Sequence, residues 1–395
     1  MRIAIFAETY FPFISGVVTH IQTLKNGLEA EGHQVLIVTM NPKADRHYVK
    51  DGILYCPSIP LKKIYGYGVA SPINLKRLSY IRAFNPDIIH IQTEFTMGLF
   101  GLFCARQLKK PVVYTLHTMY DDYLFYVAPN ARMQKMMKPG AHWYFKKVAK
   151  NATEIIGPSP KVAEFLRRCG VERHINIIPN TVDLSDFMVE NIPQEKIDAA
   201  KKDLGIRPGD VSMLFVGRLG KEKSLGVLVD LFADHYAGKG NYKLFLVGDG
   251  PEASALREQA CRRGVEKQVH LLGKMDHGIL PPYFQACDLF TTASLSEINS
   301  ISMLEAMASG LYVVQRLDLY NREQIDQGKN GDIFETGEQY AKIINDWAAM
   351  DDTAKLQLRS TVSGTTRRYG EKEFTRSVLN VYERAVYEYQ LKHAK

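Results

Sequence analysis

The sequence has no apolar run long enough to cross a membrane and no cysteine spacing typical of a metal site. No stretch approaches the roughly 18 uninterrupted apolar residues of a spanning helix. Glu8 breaks the short apolar run at the start, which favours a first β-strand over a secretory signal. The 5 cysteines are scattered along the chain without paired ligand spacing. We therefore expect free thiols in a reducing cytoplasm and no zinc site.

Low-complexity tracts and internal repeats are also missing, which excludes fibrous and largely disordered classes of protein. The chain has 395 residues, of which 46% are hydrophobic and 24% are charged. This is the composition of a globular protein, and the length is sufficient for two ordinary domains.

Positive charge is concentrated in the first half of the chain. Residues 1–180 contain 23 Lys+Arg and 12 Asp+Glu, a net charge of +11, whereas the remainder contains 27 and 31, a net charge of −4. This asymmetry indicates that one lobe faces an anionic partner, and nucleic acid and an anionic membrane surface are the two candidates.

Strand-length apolar runs alternate with helical patterns in both halves of the chain. The runs lie at 3–6, 34–39, 87–92, 112–115, 154–158, 212–216, 243–247, 269–272, 289–292 and 311–314. This alternation predicts an α/β protein with two doubly wound parallel sheets, and ligands of such sheets bind beyond the carboxyl ends of the strands. We expect an N-terminal domain over 1–185, a C-terminal domain over 186–368, and a terminal helix over 369–395. The ligand site should then lie in the cleft between the two lobes.

Two glutamates flank the start of a predicted helix in the second half. In the segment 296–310, Glu297 lies in a strand-to-helix turn and Glu305 lies within the helix, which Asn299 or Ser300 can cap. A helix N-terminus with a carboxylate on either side suits a nucleotide-diphosphate sugar, which carries two phosphates between a sugar and a ribose. An ordinary solvated helix with two unrelated glutamates is the alternative.

Two glycine-containing turns follow strands of the same half. The segment 217–224 (GRLGKEKS) contains Arg218 and Lys223, whose positive charges suit phosphate oxygens. The segment 247–252 (VGDGPE) is a glycine-rich turn before a helix and is not specific by itself. A basic surface turn is the alternative for the first segment.

Taken in order, these segments resemble the retaining GT-B glycosyltransferases of family 4. The first half is similar in YFP at 10–12, SGVV at 15–18, GHQV at 32–35, His90 and His117 at strand ends, and IPNTVD at 178–183. The bacterial 1,2-diacylglycerol 3-alpha-glucosyltransferases are the most similar branch, through AETYFP at 7–12, HIQTEF at 90–95 and YTLHTMYDDY at 114–123. The resemblance implies two Rossmann-like domains that face each other across a cleft, with the terminal helix packed back on the first.

The resemblance also implies a role for each charged candidate. Arg218 and Lys223 would hold the donor diphosphate and stabilise the leaving group. Glu305 would accept hydrogen bonds from the ribose hydroxyls, and Glu297 would lie against the donor sugar.

The remaining candidates would contact the donor through backbone or ring atoms. The backbone N–H groups of Asn299 and Ser300 would touch the sugar hydroxyls or the phosphate. Gly16 would let the first loop approach the diphosphate, and His117 would lie beside the anomeric centre.

Catalysis in this class resembles a front-face displacement with retention, in which the departing UDP oxygen takes the proton of the acceptor. The sequence has no D-x-D pattern of the kind that holds a metal ion. We therefore expect no metal and no bound cofactor, with a UDP-sugar, UDP-glucose in the first instance, as the donor.

The chain departs from the family pattern at four places, one of which is the segment 315–321 (QRLDLYN), where the typical small-residue loop is missing. Residues 298–300 (INS) stand where many members have glycine, phenylalanine and glycine after the glutamate. Tyr312 replaces a usual proline, and Thr181 replaces a glycine. These departures leave glucose, galactose and N-acetylglucosamine open as the donor sugar.

Residues 131–150 mix six basic side chains with methionines and aromatic residues. Cations beside such apolar groups suit a segment that lies on anionic lipid. The residues that would extend this patch are Lys62, Lys63, Tyr65, Tyr67, Lys76 and Arg77. A helix whose apolar side is simply core is the alternative.

We therefore expect a peripheral enzyme at the inner face of the plasma membrane that moves a hexose, glucose in the first instance, from UDP to diacylglycerol. One alternative is a cytoplasmic glycosyltransferase that acts on a polyprenyl-linked or soluble saccharide. Another is a catalytically silent GT-B-like protein that binds a partner. No nucleic-acid-binding module is recognised in the sequence, so nucleic acid is not an expected partner.

Overall fold

The computed structural model describes residues 1–11, 13, 15–60, 68–117, 130–181, 183–297, 299–318 and 322–394. These residues form two compact units, Met1–Val182 with Tyr369–Lys395, and Asp183–Arg368. Both units are α/β, and the predicted alternation of strands and helices is confirmed in each.

The elements are numbered in chain order. The strands are β1 (Arg2–Phe6), β2 (Gln34–Asn41), β3 (Tyr48–Lys50), β4 (Ile53–Pro57), β5 (Ile59–Pro60), β6 (Gly68–Val69), β7 (Ile88–Ile91), β8 (Val112–Thr115), β9 (Glu154–Gly157), β10 (Asn176–Ile177), β11 (Val211–Val216), β12 (Tyr242–Val247), β13 (Val269–Gly273), β14 (Leu289–Thr292), β15 (Tyr312–Arg316) and β16 (Gly331–Phe334). The helices are α1 (Gly16–Ala30), α2 (Leu75–Phe84), α3 (Thr96–Leu108), α4 (Ala131–Asn151), α5 (Pro160–Arg168), α6 (Gln194–Asp203), α7 (Leu225–Tyr236), α8 (Ala253–Arg262), α9 (Leu280–Ala286), α10 (Ile301–Ala308), α11 (Gly337–Ala348), α12 (Asp352–Thr365) and α13 (Glu371–His393).

The first unit contains a sheet with the strand order β10-β9-β8-β7-β1-β2-β4-β3. Its pairings are parallel except at one edge, where β3 pairs antiparallel with β4. Asp51 and Gly52 join these two strands with φ angles of 52° and 73°. Two positive φ angles in a two-residue loop are typical of a type I′ hairpin, for which Asp-Gly is a favoured sequence.

The second unit contains a parallel sheet with the order β13-β12-β11-β14-β15-β16. Helices cover both faces of such a sheet, so central strands read as continuous apolar runs. All six residues of β11 are buried. The turns that follow β11, β12 and β14 therefore start from rigid positions.

The terminal helix α13 belongs to the first unit and packs against α1. Gly27 on α1 allows a close approach, because a Cβ atom there would lie 2.0 Å from Thr375 Oγ1. Phe374 and Tyr382 are buried in the core that α1 and β1 share. Burial of these side chains fixes α13 on the sheet.

Candidate functional site

Two glycine turns in the second unit, after β11 and β12, pack backbone against backbone. The Gly217 N–H donates to the Val247 carbonyl at 3.0 Å. A Cβ atom on Gly248 would lie 1.8 Å from the Gly217 carbonyl oxygen. Gly248 also has a φ of 140°, a backbone angle that residues other than glycine rarely adopt. Glycine is therefore required at 248, and its turn supports the backbone that carries Arg218.

We expect Gly248→Ala to lower the free energy of unfolding by about 2–3 kcal/mol, because the new Cβ atom must displace the 217 turn. Guanidinium denaturation of the full chain measures this change. Gly240→Ala is the matched control, since a Cβ atom there would meet nothing within 4 Å. The control should stay within about 0.5 kcal/mol of the parent. Equal stability of the two variants would contradict this interpretation.

Arg218 and Lys223 lie between β11 and α7, each beside a carboxylate. The Lys223 ammonium is 2.6 Å from Glu297 Oε1. Arg218 Nη1 is 3.8 Å from Glu222 Oε1. Burial lowers the pKa of Arg218, but a guanidinium remains protonated in proteins. Two fixed cations are thus gathered in one short segment.

The N-terminus of α10 follows β14 through the segment that contains Glu297. Ser300 caps the helix, because its side chain accepts from the Met303 N–H. The predicted cap is confirmed. The Ser300 N–H already donates to Gln324 Oε1 at 2.8 Å, so a ligand that uses this group must displace Gln324. Asn299 is buried, and Ile298 lies outside the described residues.

Glu305 is buried on α10 and pairs with a histidine that the sequence did not point to. His277, in a turn after β13, places Nε2 2.7 Å from Glu305 Oε1. Burial raises the pKa of the Glu305 carboxyl, and the hydrogen bond with His277 opposes this change. The same hydrogen bond raises the pKa of His277 above 6.5. The hydrogen bond therefore favours the protonated form of His277 and the ionised form of Glu305.

Stability should depend on pH through this pair. Since the folded-state pKa of His277 lies above its unfolded value, the contribution is complete below about pH 6.5 and is lost as the pH rises through the folded pKa. We expect His277→Gln to lower the free energy of unfolding by a few tenths of a kcal/mol more at pH 6 than at pH 8.5, because solvent screens the half-exposed ring. Denaturation at both pH values measures the difference. If His277→Gln had the same pH-dependent effect in a variant that already carries Glu305→Gln, the effect could not come from the His277–Glu305 pair.

In the first unit, His117 follows β8 and is held by Gln92. Its Nε2 lies 2.5 Å from Gln92 Oε1. A carboxamide oxygen only accepts hydrogen bonds, so Nε2 carries the ring proton and Nδ1 keeps its lone pair. Burial lowers the pKa of His117 well below 6.5. The ring is therefore neutral, with Nδ1 able to accept a hydrogen bond.

A buried network of hydrogen-bonded side chains extends from Gln92 to the terminal helix α13. His90 places Nδ1 2.6 Å from the Tyr382 hydroxyl and Nε2 2.7 Å from Thr115 Oγ1. The Gln92 amide nitrogen lies 3.3 Å from the His90 ring nitrogens. Burial lowers the pKa of His90 to about 3, so this ring is neutral as well. Tyr382 of α13 thereby supports the side chain that holds His117.

Helix α1, which begins at Gly16, contacts His117 through His20. Gly16 opens α1, and His20 lies one turn later on the same face. The His20 ring packs edge-on against His117, with centroids 4.6 Å apart. Burial lowers the pKa of His20 to about 4. The neutral His20 ring thus connects α1 with His117 in the first unit.

Two departures from the family pattern have structural partners. The Tyr312 hydroxyl donates to Asp332 Oδ2 at 2.8 Å and so links β15 to β16. The Thr181 hydroxyl donates to the Tyr369 carbonyl within the first unit. Both residues therefore have a structural role in this chain.

Helix α4 carries two apolar faces. Phe145, Val148 and Ala149 are buried, and they form the core face. A second face is exposed and consists of Met133, Met136, Met137 and Trp143, which we call the α4 stripe. At 100° per residue these four side chains share one side of the helix. The interpretation that the apolar side of α4 is only core is therefore wrong for the stripe.

Basic side chains accompany the α4 stripe, but Arg77 does not extend it. The Lys147 ammonium lies 5.0 Å from the centre of the Trp143 ring. Arg77 is only 2% exposed because it shares the inward face of α2 with Leu78 and Ile81. Its assignment to the surface patch is wrong. Lys76 is exposed, and Lys62, Lys63, Tyr65 and Tyr67 lie outside the described residues.

Neither a membrane-spanning helix nor a metal-binding cluster is found in the part of the chain that the structure describes. Within those ranges, no helix combines the length and apolarity needed to cross a bilayer. The same residues contain no group of three or more His, Cys, Asp or Glu side chains that could hold a metal ion. The five cysteines are free, and four of them are buried.

Two family models match the chain. Glycosyltransferase Family 4 matches residues 14–186, and Glycosyl transferases group 1 matches residues 196–360. The alpha-monoglucosyldiacylglycerol synthase of Acholeplasma laidlawii is 32% identical over 393 residues, with 97% of this chain and 96% of that protein covered. A synthase of the same name from Streptococcus pneumoniae is 33% identical over 334 residues, with 85% and 75% covered.

Solved structures share the fold at low sequence identity. Anabaena Alr3699/HepE, in complex with UDP and glucose, has a TM-score of 0.73 and 18% identity, with 97% of this chain and 99% of that chain covered. Sucrose-phosphate synthase from Thermosynechococcus elongatus has a TM-score of 0.74 and 18% identity, with both chains covered completely. The two family models and the two synthases that are 32–33% identical favour an enzyme over a silent partner-binding protein. The chain belongs to glycosyltransferase family 4 and is a glycosyltransferase with the GT-B fold.

Proposed function

We propose that this enzyme transfers glucose from UDP-glucose to diacylglycerol with retention, which gives an α-glucosyl glycolipid. One observation carries the choice of acceptor and sugar, namely the 32% identity, over 97% of the chain, with a monoglucosyldiacylglycerol synthase. The geometry of the second unit supports a nucleotide-sugar donor independently of that likeness.

The donor diphosphate is proposed to bind at Arg218 and Lys223. A guanidinium fork and a compact ammonium suit two adjacent phosphates, and both cations are partly withdrawn from water. Lys223 is paired with Glu297 at 2.6 Å. When Lys223 turns to the phosphates, Glu297 becomes available to sugar hydroxyls. The ion pair therefore holds both groups in position before the donor arrives.

The ribose is proposed to bind at Glu305. His277 occupies only Oε1 of this carboxylate, and the second oxygen can accept from a ribose hydroxyl. Asn299 and Ser300 lie at the start of α10, where the helix dipole favours negative charge. Displacement of Gln324 from Ser300 would release one further N–H group for the donor.

Transfer is proposed to occur on the front face of the sugar. The bond between the anomeric carbon and the UDP oxygen breaks while the acceptor hydroxyl oxygen bonds to the same carbon. The departing phosphate oxygen takes the hydroxyl proton, so no protein base is needed. Arg218 and Lys223 stabilise the charge that develops on UDP. In the first unit, Nδ1 of the neutral His117 is available to accept from a donor-sugar hydroxyl, and Gly16 leaves room for the diphosphate.

The acceptor is proposed to reach the enzyme at a membrane surface. Met136 is 75% exposed and Trp143 is 61% exposed on the α4 stripe, which leaves apolar surface in water. Basic residues beside such a stripe favour anionic lipid. We therefore propose peripheral binding at the inner face of the plasma membrane, with the basic first unit toward the lipid.

A donor and acceptor screen tests this function. UDP-glucose, UDP-galactose and UDP-N-acetylglucosamine are each incubated with diacylglycerol in anionic vesicles and, separately, with soluble saccharides and a polyprenyl-linked saccharide. We expect glucosyl diacylglycerol as the main product. Turnover on a saccharide without any lipid product would instead support the alternative of a saccharide-specific glycosyltransferase.

A further inference from the structure

We infer that the first unit contains a second ligand site, which binds an anionic amphiphile with one phosphate or carboxylate head and an apolar chain. The site is a cavity of about 550 Å³ at the end of β4, beside the β5–β6 hairpin and the first turn of α2. None of the residues assigned to the donor or the sugar lines this cavity. The inference therefore does not depend on the identity of the donor or acceptor.

The buried cation at this cavity is Arg77. Its guanidinium lies over the Phe100 ring at 4.6 Å, and Nη1 donates to the Ser71 carbonyl at 3.2 Å. The Nε–H group is buried and has no hydrogen-bond partner among the described residues. No carboxylate in the described ranges pairs with this guanidinium. A buried cation without a counter-charge is unfavourable, so an anion bound in the cavity would compensate the charge of Arg77.

Two further polar side chains at the cavity also have unsatisfied atoms. Ser58 Oγ and His47 Nδ1 are both buried without a hydrogen-bond partner in the described part of the chain. Burial and the nearby charge of Arg77 lower the pKa of His47, so its ring is neutral at pH 7. Buried polar atoms are nearly always hydrogen-bonded in folded proteins. Three unsatisfied polar atoms thus belong to side chains that line this one cavity.

The first turn of α2 adds to the attraction for an anion. Asn74 caps this helix, and both Asn74 and Arg77 line the cavity. The N-terminus of a helix favours negative charge through its free N–H groups and its dipole. The helix end and the buried guanidinium thus act on the same ligand group.

The rest of the cavity is apolar, which favours a head group that carries a chain. Ile59 and Val69 face each other across the β5–β6 hairpin and are 74% and 38% exposed. Pro57 and Ala70 also line the cavity. Ile73, which directly precedes the lining residue Asn74, is exposed. An inorganic anion would leave these side chains in water. An alkyl chain would cover them while its head group stayed at Arg77.

Calorimetric titration of the full-length enzyme with octyl phosphate, inorganic phosphate and octanol tests the inference. We expect octyl phosphate to bind at least about tenfold more tightly than inorganic phosphate, because only its chain covers the apolar wall. Arg77→Met should weaken octyl phosphate binding by about tenfold or more. Arg82→Met, at the exposed far end of α2, should have no effect. Equal binding of both phosphates, or equal binding of octanol and octyl phosphate, would overturn the inference.

Two further variants distinguish binding at this cavity from binding at the donor site or at the general surface. The Lys223→Met variant should bind octyl phosphate as the parent does. If Lys223→Met lost binding and Arg77→Met kept it, the anion would be assigned to the donor site. Ile59→Asp places a carboxylate on an exposed rim without disturbing the core, and we expect it to weaken binding. Val49→Asp is the matched control on exposed β3. Binding that is unchanged in both Arg77→Met and Ile59→Asp would contradict the proposed site.

Discussion

Lys223→Met is expected to lower kcat/KM for glucosyl transfer by about 10²–10³-fold, the range seen when one fixed electrostatic contact to a transition state is removed. Lys223 is a partly buried ammonium 2.6 Å from Glu297, and we assign it to the departing diphosphate. Methionine is also unbranched and one atom shorter than lysine, and it removes the charge. Initial rates of transfer from UDP-glucose to diacylglycerol in mixed micelles measure the effect.

Two variants distinguish lost catalysis from lost folding. Lys223→Met leaves the Glu297 carboxylate without its cation, so the double variant with Glu297→Gln should regain stability but not activity. Lys221→Met, on the same turn but exposed, should keep nearly full activity. Full activity of Lys223→Met would show that the diphosphate is held elsewhere.

Charge reversal beside the α4 stripe should have an effect of similar size on membrane binding. We expect the fourfold change of Lys135, Lys138, Lys146 and Lys147 to Glu to weaken binding to anionic vesicles by at least about 10³-fold, since each basic residue contributes about 1 kcal/mol. Sedimentation with anionic and zwitterionic vesicles measures the change. Binding to zwitterionic vesicles should change little, because the stripe itself is kept.

A matched variant controls for net charge. The same fourfold change at exposed lysines of the second unit, Lys196, Lys201, Lys202 and Lys267, alters the net charge equally without touching α4. This variant should bind anionic vesicles nearly as well as the parent does. An equal loss in both variants would mean that total charge, rather than the basic face of α4, controls binding.

The parts of the molecule that local sequence determines were predictable. The turn after β14, the cap at Ser300 and the position of Glu305 within α10 follow from a strand pattern, a helix pattern and capping chemistry only a few residues apart. The Asp51-Gly52 hairpin also had a local signal, since that dipeptide is typical of the turn it forms. The burial of Arg77 could have been inferred too, because it shares a helical face with Leu78 and Ile81.

The supporting contacts were not predictable because their partners are distant in the chain. Gln92 and His117 are separated by 25 residues, and His277 and Glu305 by 28. His90 and Tyr382 are separated by 292 residues, and only the return of α13 to the first unit brings them together. No periodicity or motif encodes such pairs. Packing of complete elements decides which neutral histidine or buried carboxylate meets which partner.

The most direct test of the proposed function is the structure of its product. Full-length enzyme is incubated with UDP-glucose labelled with carbon-13 and vesicles of diacylglycerol in anionic lipid, and the extracted lipid is examined by NMR and after mild alkali. We predict one glucose per lipid, in the α configuration, on a product whose acyl chains alkali removes. A β-linked glucose would contradict retention, and transfer to soluble sugar with no labelled lipid would contradict the acceptor.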